Sequence, residues 1–320
     1  MVAEADESDR SFLKLFPTIA VVTNIDYEHL DNYGGFGDLT QAFVDFANKV
    51  PFYGGVIACA DDPHVVEALP RVTRRVTTYG LDSPGSDVTA TDIVLEPFSA
   101  QAIVRRRARR TGEPLETLGR LSLRVPGRHN VQNALAAVTV GLELGLPFEH
   151  IAAGLDAFRG VERRFDVRGE ANGVLVVDDY GHHPTEIAAA IDAARQLKRR
   201  LVVAFQPHRY TRTAALTEAF GPALGRADHI VLSDIYAAGE DPMVGVTLDA
   251  LASAIRRGAR APMDVVPALD DLIPAIVGVA GPGDVVLTLG AGSIGTVPDR
   301  LLDALTAVER ERERAKGRVS

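Results

Sequence analysis

Four short apolar runs in the second half of the chain, Val174–Val177, Leu201–Phe205, Ile230–Ser233 and Asp284–Leu289, are separated by stretches of helical length. Strands that each lead into a helix-length crossover assemble into a parallel sheet covered by helices, a Rossmann-like α/β domain. The spacing predicts helices over Thr185–Leu197, Thr213–Gly225, Leu248–Arg257 and Pro298–Arg314. The charged stretch Glu309–Arg318 reads as a fraying helix end.

The first half starts with the same alternation. Apolar strands over Thr18–Asn24 and Gly55–Ala60 flank a helix-like segment, Asp38–Lys49, which makes one βαβ unit. From Asp87 to Val125 the pattern changes to short alternating runs, Gln101–Arg105 and Leu121–Val125, broken by Gly and Pro, which predicts antiparallel strands. Pro126–Asn133 then opens a helix that continues through Leu144. A length of 320 residues, 46% of them hydrophobic and 24% charged, supplies two cores, and we place the boundary near Gly160. No internal repeat is visible. The fold class is therefore α/β, with residues 1–160 holding a parallel sheet plus a small antiparallel one and residues 161–320 a Rossmann-like domain.

Charge and cysteine usage narrow the classes. Thirty-four basic against 43 acidic residues give a net charge of −9, so no global field attracts nucleic acid. The local run Arg105, Arg106, Arg107, Arg109 and Arg110 is better read as a solvated hairpin. One cysteine, Cys59, excludes an internal disulfide framework and a multi-cysteine zinc site. Without a secretory h-region or a bilayer-length apolar run, the chain reads as cytoplasmic, with no membrane partner.

Six constellations could carry chemistry. Glu4, among Asp6, Glu7 and Asp9, and His29, just past a strand end, offer ligands of the kind a hard cation such as Mg²⁺ takes, although an acidic surface turn explains them as well. In Gly127-Arg128-His129-Asn130 with Asn133, two amides three residues apart share a helix face and match the edge of an adenine, or else cap the helix. Arg163 and Arg164, in Arg163-Arg164-Phe165-Asp166, could hold phosphate or form surface ion pairs. The run from Asp178 through Asp179, Tyr180, His182 and His183 to Glu186 follows an apolar strand directly; such density without partners is not tolerated in a core, so it reads as a site. Its adjacent histidines lack a third ligand at metalloprotease spacing. After the next strand, Arg209 and Arg212 are spaced to clamp a carboxylate from one helical turn. Gly290 to Gly295 spells GxGxxG but closes the last βα unit, so a structural turn is favoured over an NAD site.

The runs EADESD, TNIDYEHLD, PFYGG, DDP, PGRHN, ERRFD, DDYGHHPTE, QPHRYTRT and GAGSIG together resemble the Mur ligases, within them the UDP-N-acetylmuramate–L-alanine ligases. The resemblance runs from Val2 to about Leu302 and implies a partial central ATPase-type domain followed by a complete Rossmann-like third domain. It implies an ATP-dependent amide ligation in peptidoglycan synthesis, with ATP, Mg²⁺, UDP-N-acetylmuramate and L-alanine as small-molecule partners and an acyl phosphate on the path. Carried over position by position, it makes Glu4 and His29 metal ligands and sets His129, Asn130 and Asn133 against adenine and ribose. Arg164, Asp178 and Asp179 then serve the nucleotide, while Tyr180, His182, Arg209 and Arg212 form the catalytic, amino-acid end. A muropeptide-recycling ligase is the related alternative, though its pattern departs after the Asp pair and at PHRYTRT. No GxxxxGK[ST] phosphate loop occurs in the 320 residues. The expectation is thus a chain that lacks the N-terminal domain and does not turn over by itself, or a non-catalytic binding fragment. Oligomeric state is left open.

Overall fold

The computed structural model describes residues 1–27, 32–107 and 115–317. The chain divides into two units, Met1–Phe158 and Arg159–Ser320.

In the first unit the strands β1 (Ile19–Val22), β2 (Gly55–Cys59), β3 (Val76–Tyr79), β4 (Val88–Glu96), β5 (Ser99–Arg106) and β6 (Glu116–Leu123) form one sheet in that order. The first four run parallel, and β5 and β6 continue the sheet antiparallel. The predicted antiparallel segment is thus an extension of the parallel sheet and not a separate one. Helices α1 (Phe36–Asn48) and α2 (Pro63–Ala68) lie over one face, with Leu39, Val44 and Val65 packed on Val22, Val56 and Ala58. Helix α3 (Arg128–Glu143), followed by α4 (Phe148–Ala157), covers the other, where Val131, Leu135 and Val138 meet Ile57, Cys59 and Tyr79. Burial on both faces explains why β2 is an unbroken apolar run.

Some boundaries move. The predicted Leu121–Val125 strand ends at Leu123 and starts earlier, at Glu116, while β3 and α4 were not foreseen. In the arginine run, Arg106 pairs with Glu116 at 2.8 Å and Arg107 Nη2 donates to the Pro84 carbonyl at 3.1 Å, while Arg109 and Arg110 lie outside the described residues.

The second unit contains β7 (Asp166–Ala171), β8 (Val174–Asp179), α5 (Pro184–Arg195), β9 (Leu201–Phe205), α6 (Tyr210–Leu224), β10 (His229–Leu232), α7 (Leu248–Gly258), β11 (Met263–Val265), α8 (Leu269–Val279), β12 (Val285–Leu289) and α9 (Val297–Gly317). Its sheet order is β11-β10-β9-β12-β8-β7, parallel throughout except for β7, which pairs antiparallel with β8. Ile187, Ile191, Phe220 and Ile255 from α5, α6 and α7 pack on one face, and Leu272, Ile276, Leu301 and Leu305 from α8 and α9 on the other. Helices α6 and α7 approach closely where Gly221 meets Gly258: a Cβ on Gly221 would stand 2.8 Å from the Gly258 Cα. The charged stretch is the end of α9, which continues to Gly317, with Asn172 N donating to Glu309 Oε2 and Arg312 Nη1 to Asn172 Oδ1. Among the described residues no helix is long and apolar enough to cross a membrane.

Candidate functional site

Because β8, β9, β10 and β12 are parallel neighbours, their C-terminal ends share one edge of the second sheet, where open α/β sheets take their ligands. The residues after β8 place Tyr180 and His182 there, with ring centroids 5.5 Å apart. Those after β9 bring His208, whose ring lies 5.5 Å from His182 and stacks on Tyr236 at 5.6 Å and 17°. Helix α6 starts three residues earlier than predicted, so Arg209 is its N-cap residue and Arg212 sits in its first turn. The two arginines therefore do not share a helical turn as the spacing suggested. Instead Arg212 Nη1 lies 3.0 Å from His208 Nδ1, and Arg209 leaves the strand end with φ 65° and ψ 141°. Arg209 Nε is buried with no hydrogen-bond partner among the described residues.

Burial, and the charges of His182, Arg212 and Arg209, push the His208 pKa down to about 4. A neutral imidazole can present Nδ1 as acceptor to the Arg212 guanidinium. Behind His182 stands Glu186, which accepts from the His182 and His183 amides at 3.0 and 3.3 Å and lies 3.5 Å from His182 Nδ1. Burial works against its charge, but His182, Arg164 and those amides outweigh it and hold its pKa low. His183 is the N-cap of α5 in a capping box with Glu186, and Pro184 takes the first helical position, as its fixed φ favours.

The acidic pair that ends β8 faces inward. Asp178, 1% exposed, accepts from Arg163 Nε at 2.7 Å and from Thr288 Oγ1 at 2.5 Å, while Arg163 Nη2 also donates to the Gly290 carbonyl at 2.7 Å. Asp179 accepts from Phe165 N at 2.8 Å and Gly181 N at 2.7 Å. Burial raises its pKa to about 6, against the lowering pull of those amides and Arg164. Both carboxylates thus hold the Arg163–Phe165 turn to the strand end. In that turn Arg163 and Phe165 both have positive φ, 59° and 49°, a conformation that persists only where surroundings impose it. Arg164 points away from this core; it pairs with Glu186 at 3.2 Å and stands 5.5 Å from the Tyr180 ring.

The GxGxxG turn is structural. A Cβ at Gly290 would lie 2.7 Å from the Gln206 carbonyl, at Gly292 2.5 Å from Tyr236, and at Gly295 2.6 Å from Arg163. Gln206 Oε1 accepts from Ile294 N at 2.9 Å, which ties the ends of β9 and β12 together. The sequence reading passed over His208, Tyr236, Gln206, Thr288 and Glu240. Glu240 accepts from Thr211 N at 3.0 Å and Thr211 Oγ1 at 2.7 Å, capping the start of α6 from outside the helix. Of these, Gln206 and His208 had a visible signal, their place between a strand end and a helix in the run the sequence singled out.

In the first unit His129 and Asn130 lie in the first turn of α3, with Asn133 on the next. Asn130 Nδ2 donates to the Pro126 carbonyl at 2.7 Å, and Asn133 is exposed. The exposed Asn133 amide carries a donor and an acceptor of the kind the polar edge of an adenine takes. Glu4 is an exposed carboxylate, a hard oxygen donor suited to Mg²⁺; His29 lies outside the described residues. Among the described residues no group of three or more His, Cys, Asp or Glu is placed to hold a metal ion.

Comparison with known proteins matches residues 2–141 to the Mur ligase middle domain and residues 163–292 to the Mur ligase, glutamate ligase domain. The chain is 49% identical over 311 residues to a UDP-N-acetylmuramate–L-alanine ligase of Geobacter sp. (strain M21), covering 97% of this chain and 66% of that protein. It is 50% identical over 297 residues to the enzyme of that name from Geobacter sulfurreducens, covering 92% and 63%. Among solved structures it is similar to the UDP-N-acetylmuramate-alanine ligase MurC of Thermotoga maritima, with a TM-score of 0.74, 26% identity, and coverage of 95% of this chain and 63% of that one. The MurF ligase of Thermotoga maritima, solved in complex with ADP, shares the fold at 18% identity and a TM-score of 0.69, covering 92% and 63%. The chain spans just under two thirds of the length of the curated relatives it matches. With two Mur ligase domains in series and a sheet edge built from the family's motifs, the chain belongs to the Mur ligase family.

Proposed function

We propose that the chain supplies the ATP- and amino-acid-handling domains of a cytoplasmic ligase that joins L-alanine to UDP-N-acetylmuramate through an acyl phosphate, in peptidoglycan synthesis. The observation that carries this reading is the convergence of Tyr180, His182, His208, Arg209 and Arg212 on one edge of the second sheet. Two guanidinium groups beside a neutral imidazole can receive a small carboxylate by charge-assisted hydrogen bonds and leave its amino group facing the acyl phosphate. Tyr180 and His182 wall that subsite, with Arg164 on the phosphate side, supported by Asp178 and Asp179 through the turn they hold. His129, Asn130 and Asn133 receive the adenine. Glu4 and His29 would hold Mg²⁺, which supplies charge neutralisation of the nucleotide phosphates when bound. Such a reaction depends on positioning and electrostatics more than on a strong base.

The test is phosphate release by the chain joined to the N-terminal region of the Geobacter M21 relative, with ATP, Mg²⁺, UDP-N-acetylmuramate and L-alanine. Release that requires both other substrates supports the reading, and replacement of L-alanine by a tripeptide as the preferred substrate would shift it to muropeptide recycling. The other outcome of this test is a non-catalytic binding module. Binding of the substrates by the joined protein without phosphate release would establish it.

A further inference from the structure

Asp61, just past β2, has a carboxylate engaged by four donors. Its Oδ1 accepts from the amides of Asp82 at 3.0 Å and Ser83 at 2.8 Å, and its Oδ2 from the amide of Leu81 at 2.5 Å and from Gln132 Nε2 at 2.9 Å. Three successive backbone N–H groups turned onto one anion form the concave nest that usually receives an external anion. Here the protein's own side chain fills it. The fit depends on Gly80, where a Cβ would stand 2.6 Å from Asp61 Oδ1. The neighbouring Asp62 has a simpler role and caps α2 by accepting from Val65 N at 2.7 Å.

The fourth donor gives this nest a reach. Gln132 belongs to α3, between Asn130 and Asn133, and its Nε2 also lies 3.1 Å from Cys59 Sγ at the end of β2. One residue before His129, Arg128 pairs with Asp82 inside the same turn. That pair is largely exposed and contributes little. The hydrogen bond from Gln132 to a half-buried carboxylate is the stronger tie. The start of α3 is therefore registered against β2 and the 81–83 turn through Asp61.

We propose that Asp61 is a positioning residue for adenine recognition: acting through Gln132, it holds the first turns of α3 so that His129, Asn130 and Asn133 meet the base. The inference rests on the adenine reading of those three residues given above. Asp61 itself touches no ligand in this scheme. A network of this kind is worth more than its separate bonds, because each donor fixes the orientation of the acceptor for the others.

The experiment uses the full 320-residue chain and two nucleosides, adenosine and guanosine, whose binding is followed by ligand-observed NMR. Neither carries phosphate, so the readout does not depend on a phosphate loop. Gln132→Met keeps length and removes the donor, leaving the nest filled. It is expected to reduce the preference for adenosine at least about fivefold without changing amide exchange at residues 81–83. Asp61→Asn is expected to do both, lowering the preference and speeding exchange of those three amides. Should Asp61→Asn fail to fold, Gln132→Met still decides. A wild-type preference for adenosine that survives in both variants overturns the positioning role while leaving the adenine reading intact. Failure of the wild-type chain to distinguish the two nucleosides overturns the adenine reading itself, and the positioning role with it.

Discussion

Replacing Arg209 by glycine and, separately, by alanine isolates the backbone at the centre of the sheet-edge site. Arg209 has φ 65° and ψ 141°, close to the region that only glycine occupies readily, and its conformation is held by Arg209 N donating to the Tyr236 carbonyl at 2.8 Å and by Thr213 N and Oγ1 donating to the Arg209 carbonyl at 3.1 and 2.7 Å. A residue with a Cβ costs about 1–3 kcal/mol in such a conformation. Glycine escapes most of that, but its freer unfolded chain returns about 0.4–1 kcal/mol. Both variants lose the guanidinium and its stem, so those losses cancel in the comparison. Arg209→Gly should therefore be more stable than Arg209→Ala by roughly 0.5–2 kcal/mol, in the same direction as the ordinary preference for glycine over alanine at an N-cap. For a unit of this size that is a difference in Tm of a few degrees. Urea denaturation of the two variants, at equal m-values, measures it. If the alanine variant is the more stable, the strain is not present in solution, and the idea that the fold gives up stability to aim Arg209 fails with it.

Other outcomes follow from the same geometry. Arg209→Lys or Arg212→Lys in the joined, complete enzyme should raise the KM for L-alanine with ATP affinity nearly unchanged, because an ammonium cannot reproduce the guanidinium fork; an effect confined to ATP would move both residues to the phosphate side. Asp179 binds its proton more tightly folded than unfolded, with a pKa of about 6 against the ordinary 3.8, because burial disfavours the carboxylate. Its contribution to stability is therefore complete below pH 4 and is lost as pH rises through 6, a swing of roughly 3 kcal/mol that Asp179→Asn should abolish in pH-dependent urea melts. Gly221→Ala would drive a methyl to 2.8 Å from the Gly258 backbone and should destabilise the second unit by about 1–3 kcal/mol in thermal unfolding, with no effect on the first.

Much of the molecule was legible in one dimension. The apolar runs that became β2, β8, β9, β10 and β12 are buried on both faces, or nearly so, and a strand of that kind needs no alternation to be recognised. The elements that went unseen, β3, β7, β11 and α8 among them, are short, half-exposed or at a sheet edge, where local composition carries little of the signal. The clusters after β8 and β9 announced a site because so many ionisable groups directly after an apolar strand have no place in a core.

The chain's own order of residues thus determined that each half would hold a helix-covered parallel sheet and at which strand ends the polar groups would gather, though not that the antiparallel strands of the first half would join its parallel sheet. It could not determine which member of an adjacent pair turns inward. Arg163 and Arg164 are equivalent in the sequence, yet Arg163 is tied to Asp178 and Gly290 while Arg164 remains at the surface. That choice depends on Thr288 in β12, which meets Asp178 only through the register of β12 against β8. Likewise Tyr236 and Glu240 reach His208 and Thr211 from a loop about thirty residues away along the chain, through pairings that no local pattern encodes. Side-chain periodicity is a local property and can be read along the chain; register, and the burial that follows from it, exists only once distant strands have paired.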